Sequence, residues 1–259
     1  MQKNKINKIL KKKNKSPIVC LTAYTNNIAK IADKYCDIIL VGDSLGMVLY
    51  GMKTTRDVKI NTMILHAKAV KSVAKKSLVV FDMPHKTYKN KFIAYKNAKN
   101  VLKLTNCDAV KLEGGIEISN IVKHLVKKGI PVLGHVGLLP QTSTKFKVTG
   151  RKFKERKRIL KDAFAICNAG AFGMVIECVI ESLAKTITKT IPIPTIGIGA
   201  SKYCDGQILV TEDMVGLSNF SPRFVKQYAK LNKSIEKSIK SYAKDVKMKR
   251  FPFAKNIYK

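Results

Sequence analysis

Apolar residues fall in eight short runs bounded by polar residues or by Gly and Pro. They lie at 18–23 (IVCLTA), 38–42 (IILVG), 78–81 (LVVF), 109–112 (AVKL), 132–137 (VLGHVG), 173–178 (GMVIEC), 195–199 (TIGIG) and 207–210 (QILV). Most are rich in Val and Ile and do not alternate strictly, the pattern of parallel strands covered on both faces. Stretches with helical spacing separate them. Residues 25–35 bring Ile28, Ile31 and Ala32 to one face, 61–75 bring Ile64, Leu65, Ala67 and Val70, and 89–105 bring Ile93, Ala94, Ala98, Val101 and Leu102. Segments 118–128, 156–169 and 181–190 repeat the theme.

Strand–helix alternation of this kind predicts a parallel α/β fold. Eight strands in 259 residues fit a single (β/α)8 TIM barrel, which needs about 250 residues. The link at 200–206 is too short for a full helix. No linker marks a second domain, so residues 1–259 are expected to form one, with a basic segment at 1–16 and an amphipathic C-terminal helix at 221–250. Ser221 followed by Pro222 reads as N-cap and first helical position. Tyr228, Leu231, Ile235, Tyr242 and Val246 then form an apolar stripe beside recurring lysines. Such a lysine stripe is a solvated face, or else an anion-binding or subunit-contacting one.

The net charge of +33 changes the picture by raising nucleic acid or an anionic membrane as partners. Yet only 6 of the 50 basic residues are Arg, the preferred bidentate reader of phosphates and bases. Lys, Ile and Asn, all abundant, share A/T-rich codons, so compositional drift accounts for much of the charge and no specific nucleic-acid partner is expected. No run approaches the ~20 apolar residues of a membrane span, and no apolar segment follows the basic N-terminus as in a secretory signal. Six scattered cysteines without a CxxC pair point to a reducing compartment. A cytoplasmic location is the expectation.

With only 17 acidic residues, their placement is informative. Asp43, Asp82, Glu113 and Glu177 sit inside or at the end of the second, third, fourth and sixth apolar runs. In a parallel barrel all strand ends open on one face, where barrel enzymes carry their active sites. One such acid can be a helix N-cap or a turn residue. Four can converge, and clustered carboxylates resist sharing ionisation unless a cation joins them. An all-oxygen set favours Mg²⁺.

Lys111, two residues before Glu113, faces the same way. It can hold a substrate carboxylate, stabilise an enolate oxygen or simply pair with the acids. Ser44, in VGDSLGM, sits between glycines that expose backbone N–H groups. It can bind a carboxylate or cap a helix. His135, in LGHVGL, can be catalytic or a hydrogen-bonded core histidine.

The chain resembles the ketopantoate hydroxymethyltransferase family from about residue 6 to 228. The resemblance is carried by TAYT (22–25), VGDSLGM (41–47), FDMP (81–84), VKLEGG (110–115), GHVGLLPQ (134–141), IECV (176–179), IGIGA (196–200) and DGQILV (205–210). It implies a barrel of the phosphoenolpyruvate/pyruvate-binding type, one Mg²⁺ per subunit and 5,10-methylenetetrahydrofolate as co-substrate. It further implies 3-methyl-2-oxobutanoate as acceptor, 2-dehydropantoate as product, a step of pantothenate biosynthesis, and a homo-oligomer, expected to be a decamer. Carried over by motif, Asp43, Asp82 and Glu113 bind the metal. Asp43, Ser44, Asp82, Lys111 and His135 bind the oxo acid, and Glu177 accepts the proton.

Three features depart from the family pattern: Thr25 where Asp is familiar, a short 142–150 stretch, and the polar DMPHKTY after Phe81. Two alternatives stay open. One is another Mg²⁺-dependent 2-oxo acid lyase or aldolase of the same barrel type. The other is a cationic RNA-associated scaffold.

Overall fold

A computed structural model describes residues 2–143, 146–218 and 222–258. The chain divides into two compact units, Met1–Val210 and Thr211–Lys259. The first is a closed barrel of eight parallel strands in sequence order: β1 (Ile18–Thr22), β2 (Ile38–Val41), β3 (Leu78–Asp82), β4 (Ala109–Glu113), β5 (Val132–Gly137), β6 (Gly173–Glu177), β7 (Thr195–Ile198) and β8 (Gly206–Leu209). Each expected strand is present, and β7 and β8 are joined without a helix. The chain therefore has the TIM-barrel architecture expected of its sequence.

Alternate strand residues serve two different cores, which explains why the runs do not alternate in polarity. Ile39, Val41, Val79, Phe81, Val110, Leu112, Val132, Val136, Met174 and Ile176 point outward into one apolar layer. Helices cover that layer: α2 (Asn26–Ala32), α4 (Ile60–Val73), α5 (Lys91–Thr105), α6 (Ile116–Lys127), α7 (Phe153–Asn168) and α8 (Glu181–Thr190), with the short α3 (Leu45–Tyr50) after β2. The other set points into the barrel. Ile38, Leu40, Leu78, Val80, Ala109, Leu133, Val175, Ile196 and Ile208 form this separate interior cluster. Because side chains repeat every second residue, the inward rows continue upward to Asp82, to Lys111 and Glu113, to His135 and to Glu177. The barrel is thus apolar at its foot and ionic at its mouth.

The basic N-terminal segment contains a helix, α1 (Gln2–Lys11), whose Ile9 is buried against the interior cluster. Lysines of this helix and the turn after it meet groups at the starts of strands. Lys5 Nζ donates to the Ser77 carbonyl at 2.7 Å, Lys12 pairs with Asp37 at 2.6 Å and Lys13 with Asp205 at 2.9 Å. Part of the basic excess therefore closes the foot of the barrel. All six cysteines are free, five of them buried.

The second unit holds α9 (Thr211–Met214) and α10 (Leu231–Lys247). The C-terminal helix thus begins at Leu231, not at the Ser221–Pro222 signal. Ser221 itself lies outside the described residues. Backbone N–H groups of Tyr228, Leu231 and Asn232 donate to the carbonyls of Met214, Val215 and Gly216 at 2.8–3.1 Å. These bonds satisfy donors that an earlier helix start would have turned inward. The apolar stripe of α10 is present, and Leu231, Ile235, Ile239, Tyr242 and Val246 are all exposed. Among the described residues, no helix is long and apolar enough to cross a membrane.

Candidate active site

Strand register brings the predicted residues together. In the parallel ladders Asp82 lies beside Lys111, Glu113 beside His135, and Gly137 beside Glu177. Each neighbour thus hands the ionic layer on at about the same height. Asp43 follows β2 at the start of the turn into α3, and its backbone N–H donates to Asp82 Oδ2 at 3.2 Å. Ligand atoms of Asp43, Asp82 and Glu113 all lie within 4.8 Å of one another, and all three residues are buried.

Lys111 Nζ reaches into this group. It donates to Asp82 Oδ1 and Oδ2 at 2.8 and 2.9 Å and to Glu113 Oε1 at 3.2 Å. His135 bridges Glu113 and Glu177. Its Nδ1 lies 3.3 Å from Glu113 Oε1 and its Nε2 lies 3.3 Å from Glu177 Oε2. Both are ion-pair contacts without well-aligned hydrogen bonds. Glu177 keeps 13% of its side chain exposed, against 2% for Glu113, so it is the acid that faces the opening.

The electrostatics follow from burial. Burial raises the Asp43 carboxyl well above the usual carboxylate range, and the charges of Asp82 and Glu113 add to that rise. Asp82 is also raised by burial, with Lys111 pulling the other way. Burial opposes ionisation of Glu113 too, but Lys111 and His135 together hold it down to about 2. Lys111 is buried, which disfavours its charge, yet Asp82, Glu113 and Asp43 outweigh this and hold its ammonium firmly protonated. Burial works against a charged His135 as well, and Glu113 overcomes it, raising the imidazole to about 9. Lys111 and His135 supply positive charge to the cluster, yet burial and the neighbouring carboxylates still raise Asp43, so the site favours a further cation. The all-oxygen donors of the three carboxylates and their spacing suit a hard divalent cation better than a thiophilic one.

Ser44 stands at the N-cap position of α3, but its hydroxyl does not cap the helix and instead hydrogen-bonds Tyr24 Oη at 2.8 Å. Thr25, the departure from the family pattern, caps α2 by accepting from the Ile28 N–H at 3.4 Å. Two residues of the cluster were not singled out by the sequence. Gln141 is almost fully buried and touches both Asp43 and Glu113, and Tyr88 hydrogen-bonds Gln141. Gln141 closes the GHVGLLPQ motif, which was the available signal for it. Tyr88 sits in an irregular loop with no periodicity to point inward.

A family model described as ketopantoate hydroxymethyltransferase matches residues 3–254. The chain belongs to the ketopantoate hydroxymethyltransferase family. Membership makes it an enzyme. It is 52% identical over 254 residues to the 3-methyl-2-oxobutanoate hydroxymethyltransferase of Pelagibacter ubique (strain HTCC1062), covering 98% of this chain and 99% of that protein.

Among solved structures, this member of the family is similar to 2,3-dimethylmalate lyase, a phosphoenolpyruvate mutase/isocitrate lyase superfamily member. That match has a TM-score of 0.64 at 13% identity, covering 98% of this chain and 89% of that one. Phosphonopyruvate hydrolase, in a complex with oxalate and Mg²⁺, matches with a TM-score of 0.62 at 12% identity, covering 98% and 92%. At those identities the likeness is one of fold alone.

Proposed function

We propose that this enzyme transfers a hydroxymethyl group from 5,10-methylenetetrahydrofolate to 3-methyl-2-oxobutanoate, giving 2-dehydropantoate, with one Mg²⁺ per chain held by Asp43, Asp82 and Glu113. The observation that carries the reading is the convergence of those three carboxylates beside Lys111 at the mouth of the barrel. Bound there, the cation supplies Lewis acidity to the carboxylate and carbonyl oxygens of the oxo acid, making its C3 proton easier to remove.

The protein's own groups do the rest. Lys111 and the Ser44 hydroxyl bind oxo-acid oxygens, and the apolar strand residues below keep water from the site. Glu177, the more accessible acid, takes the C3 proton on its carboxylate. His135 holds that carboxylate in place from the side of Glu113. The carbon so activated attacks the one-carbon unit. Over the whole reaction a C–C bond forms at C3, the C–N bonds to the methylene carbon break, water supplies the hydroxyl and tetrahydrofolate leaves. Homo-oligomerisation belongs to the same reading, and light scattering on the purified protein measures it.

Glu177→Gln tests the assignment. It is expected to abolish deuterium exchange at C3 of the oxo acid while leaving Mg²⁺ affinity nearly intact. Exchange at the wild-type rate removes Glu177 from the role. Product analysis with and without 5,10-methylenetetrahydrofolate separates this reaction from a folate-independent lyase or aldolase of the same barrel type.

A further inference from the structure

Gln141 occupies an unusual place in the mouth. It lies in the irregular segment after β5, yet it is only 1% exposed. Its side-chain Nε2 donates to Asp43 Oδ2 at 2.8 Å and to the Met83 carbonyl at 3.0 Å. Its backbone N–H donates to Glu113 Oε2 at 3.1 Å. Its Oε1 accepts from Tyr88 Oη at 2.5 Å.

One residue therefore ties together the chain after β2, β3, β4 and β5. Two of the three clustered carboxylates receive a hydrogen bond from it. The Met83 carbonyl settles which end of the amide faces which way, because it can only accept and so takes Nε2, leaving Oε1 for the Tyr88 hydroxyl. The segment is fastened on its outer side too, where Arg56 Nη2 donates to the Ser143 carbonyl at 2.9 Å.

The contacts hold one oxygen of Asp43 and both oxygens of Glu113, which fixes the direction of each carboxylate. Gln141 takes Asp43 Oδ2 and leaves Oδ1. On Glu113 it takes Oε2, while Lys111 and His135 lie against Oε1. Groups that orient ligating carboxylates in this way typically matter about 10- to 100-fold for metal affinity. We propose that Gln141, locked by Tyr88, is a positioning residue that fixes the Asp43 and Glu113 carboxylates for a divalent cation and thereby couples the segment after β5 to the cation site. This rests on the cation reading given above. It assigns Gln141 no contact with the reacting atoms.

The experiment measures Mn²⁺ binding to the full chain by the electron paramagnetic resonance signal of free Mn²⁺, for wild type, Gln141→Met and Tyr88→Phe. Gln141→Met is expected to weaken Mn²⁺ binding by about 10- to 100-fold. Tyr88→Phe, which keeps the amide but removes the donor to its Oε1, is expected to weaken it in the same direction by a smaller factor. In parallel, C3 proton exchange of the oxo acid is followed as Mn²⁺ is raised. Saturating Mn²⁺ should restore the exchange rate of both variants towards wild type, a recovery that general damage to the site would not allow.

Wild-type affinity in both variants overturns the role of Gln141 while leaving the cation reading in place. Weakened binding with exchange that saturating Mn²⁺ does not restore also overturns it, in favour of a merely structural role. Absence of Mn²⁺ binding by the wild type overturns the cation reading and this inference together. Should Gln141→Met fail to fold, the nearly isosteric Tyr88→Phe carries the same test.

Discussion

Replacing Lys111 by Met keeps a flexible side chain of similar length and deletes the ammonium among three buried carboxylates. Lys111 Nζ lies 2.8 Å from Asp82 Oδ1 and 3.2 Å from Glu113 Oε1. At an effective dielectric of about 20, each contact represents roughly 5–6 kcal/mol of attraction. Much of that is offset by the cost of burying the ammonium. Deleting one partner of a buried pair, which strands the other, costs about 3–5 kcal/mol. At about 2–4 °C per kcal/mol for a chain of this size, the melting temperature should fall by roughly 6–20 °C in EDTA.

Magnesium should recover part of the loss. A ligand at a hundred times its Kd stabilises by about 2.7 kcal/mol. The variant offers it a site with more uncompensated negative charge, so its melting temperature should rise more on adding Mg²⁺ than that of the wild type. Melts followed by circular dichroism, with EDTA and with Mg²⁺, measure both differences. A Lys111→Met protein melting within about 2 °C of wild type in EDTA would refute the reasoning. The three carboxylates would then not depend on Lys111 for their charge balance.

Two further outcomes are expected. Asp33 accepts from the backbone N–H groups of Lys75, Lys76 and Ser77 at 2.7–3.1 Å; burial opposes its ionisation, but these donors outweigh it and lower its pKa. A carboxylate depressed in the folded state contributes stability above its unfolded pKa, near 3.9, and loses it as pH falls through the lower folded value. Asp33→Asn should therefore cost about 2 kcal/mol at pH 7, with the gap to wild type narrowing below pH 4 in acid-titrated melts; a gap that does not change with pH contradicts the assignment. Gly137 has φ +101°, and a Cβ there would lie 2.4 Å from the Glu177 carbonyl oxygen, a backbone atom that cannot rotate away. Gly137→Ala should displace the end of β6 and slow C3 proton exchange by about 100-fold, and an unaltered rate would show that Glu177 tolerates the shift.

The strands were legible because each carries two apolar rows, one for the barrel and one for the helices. Asp82, Glu113 and Glu177 were legible because a charge at the end of such a row has few places to go except the mouth. Other parts left weaker traces. The helix at Gln2–Lys11 hid in a lysine-rich segment in which Ile9 alone is buried. The start of α10 was misplaced because Pro222 is a local signal, whereas the bonds to Met214, Val215 and Gly216 are tertiary. Gln141 and Tyr88 come from irregular segments, where no period says which side chain turns inward.

The ladder that sets Asp82 beside Lys111, Glu113 beside His135 and Gly137 beside Glu177 makes the ionic layer and the hydrogen-bonded wall a single object. Adding or deleting one residue within β3, β4, β5 or β6 would swap its inner and outer rows, turning a charge out among the helices and an apolar side chain such as Phe81, Leu112, Val136 or Ile176 into the mouth. Length changes in this chain can therefore collect in the helices and the joints between elements, but these four strands admit none.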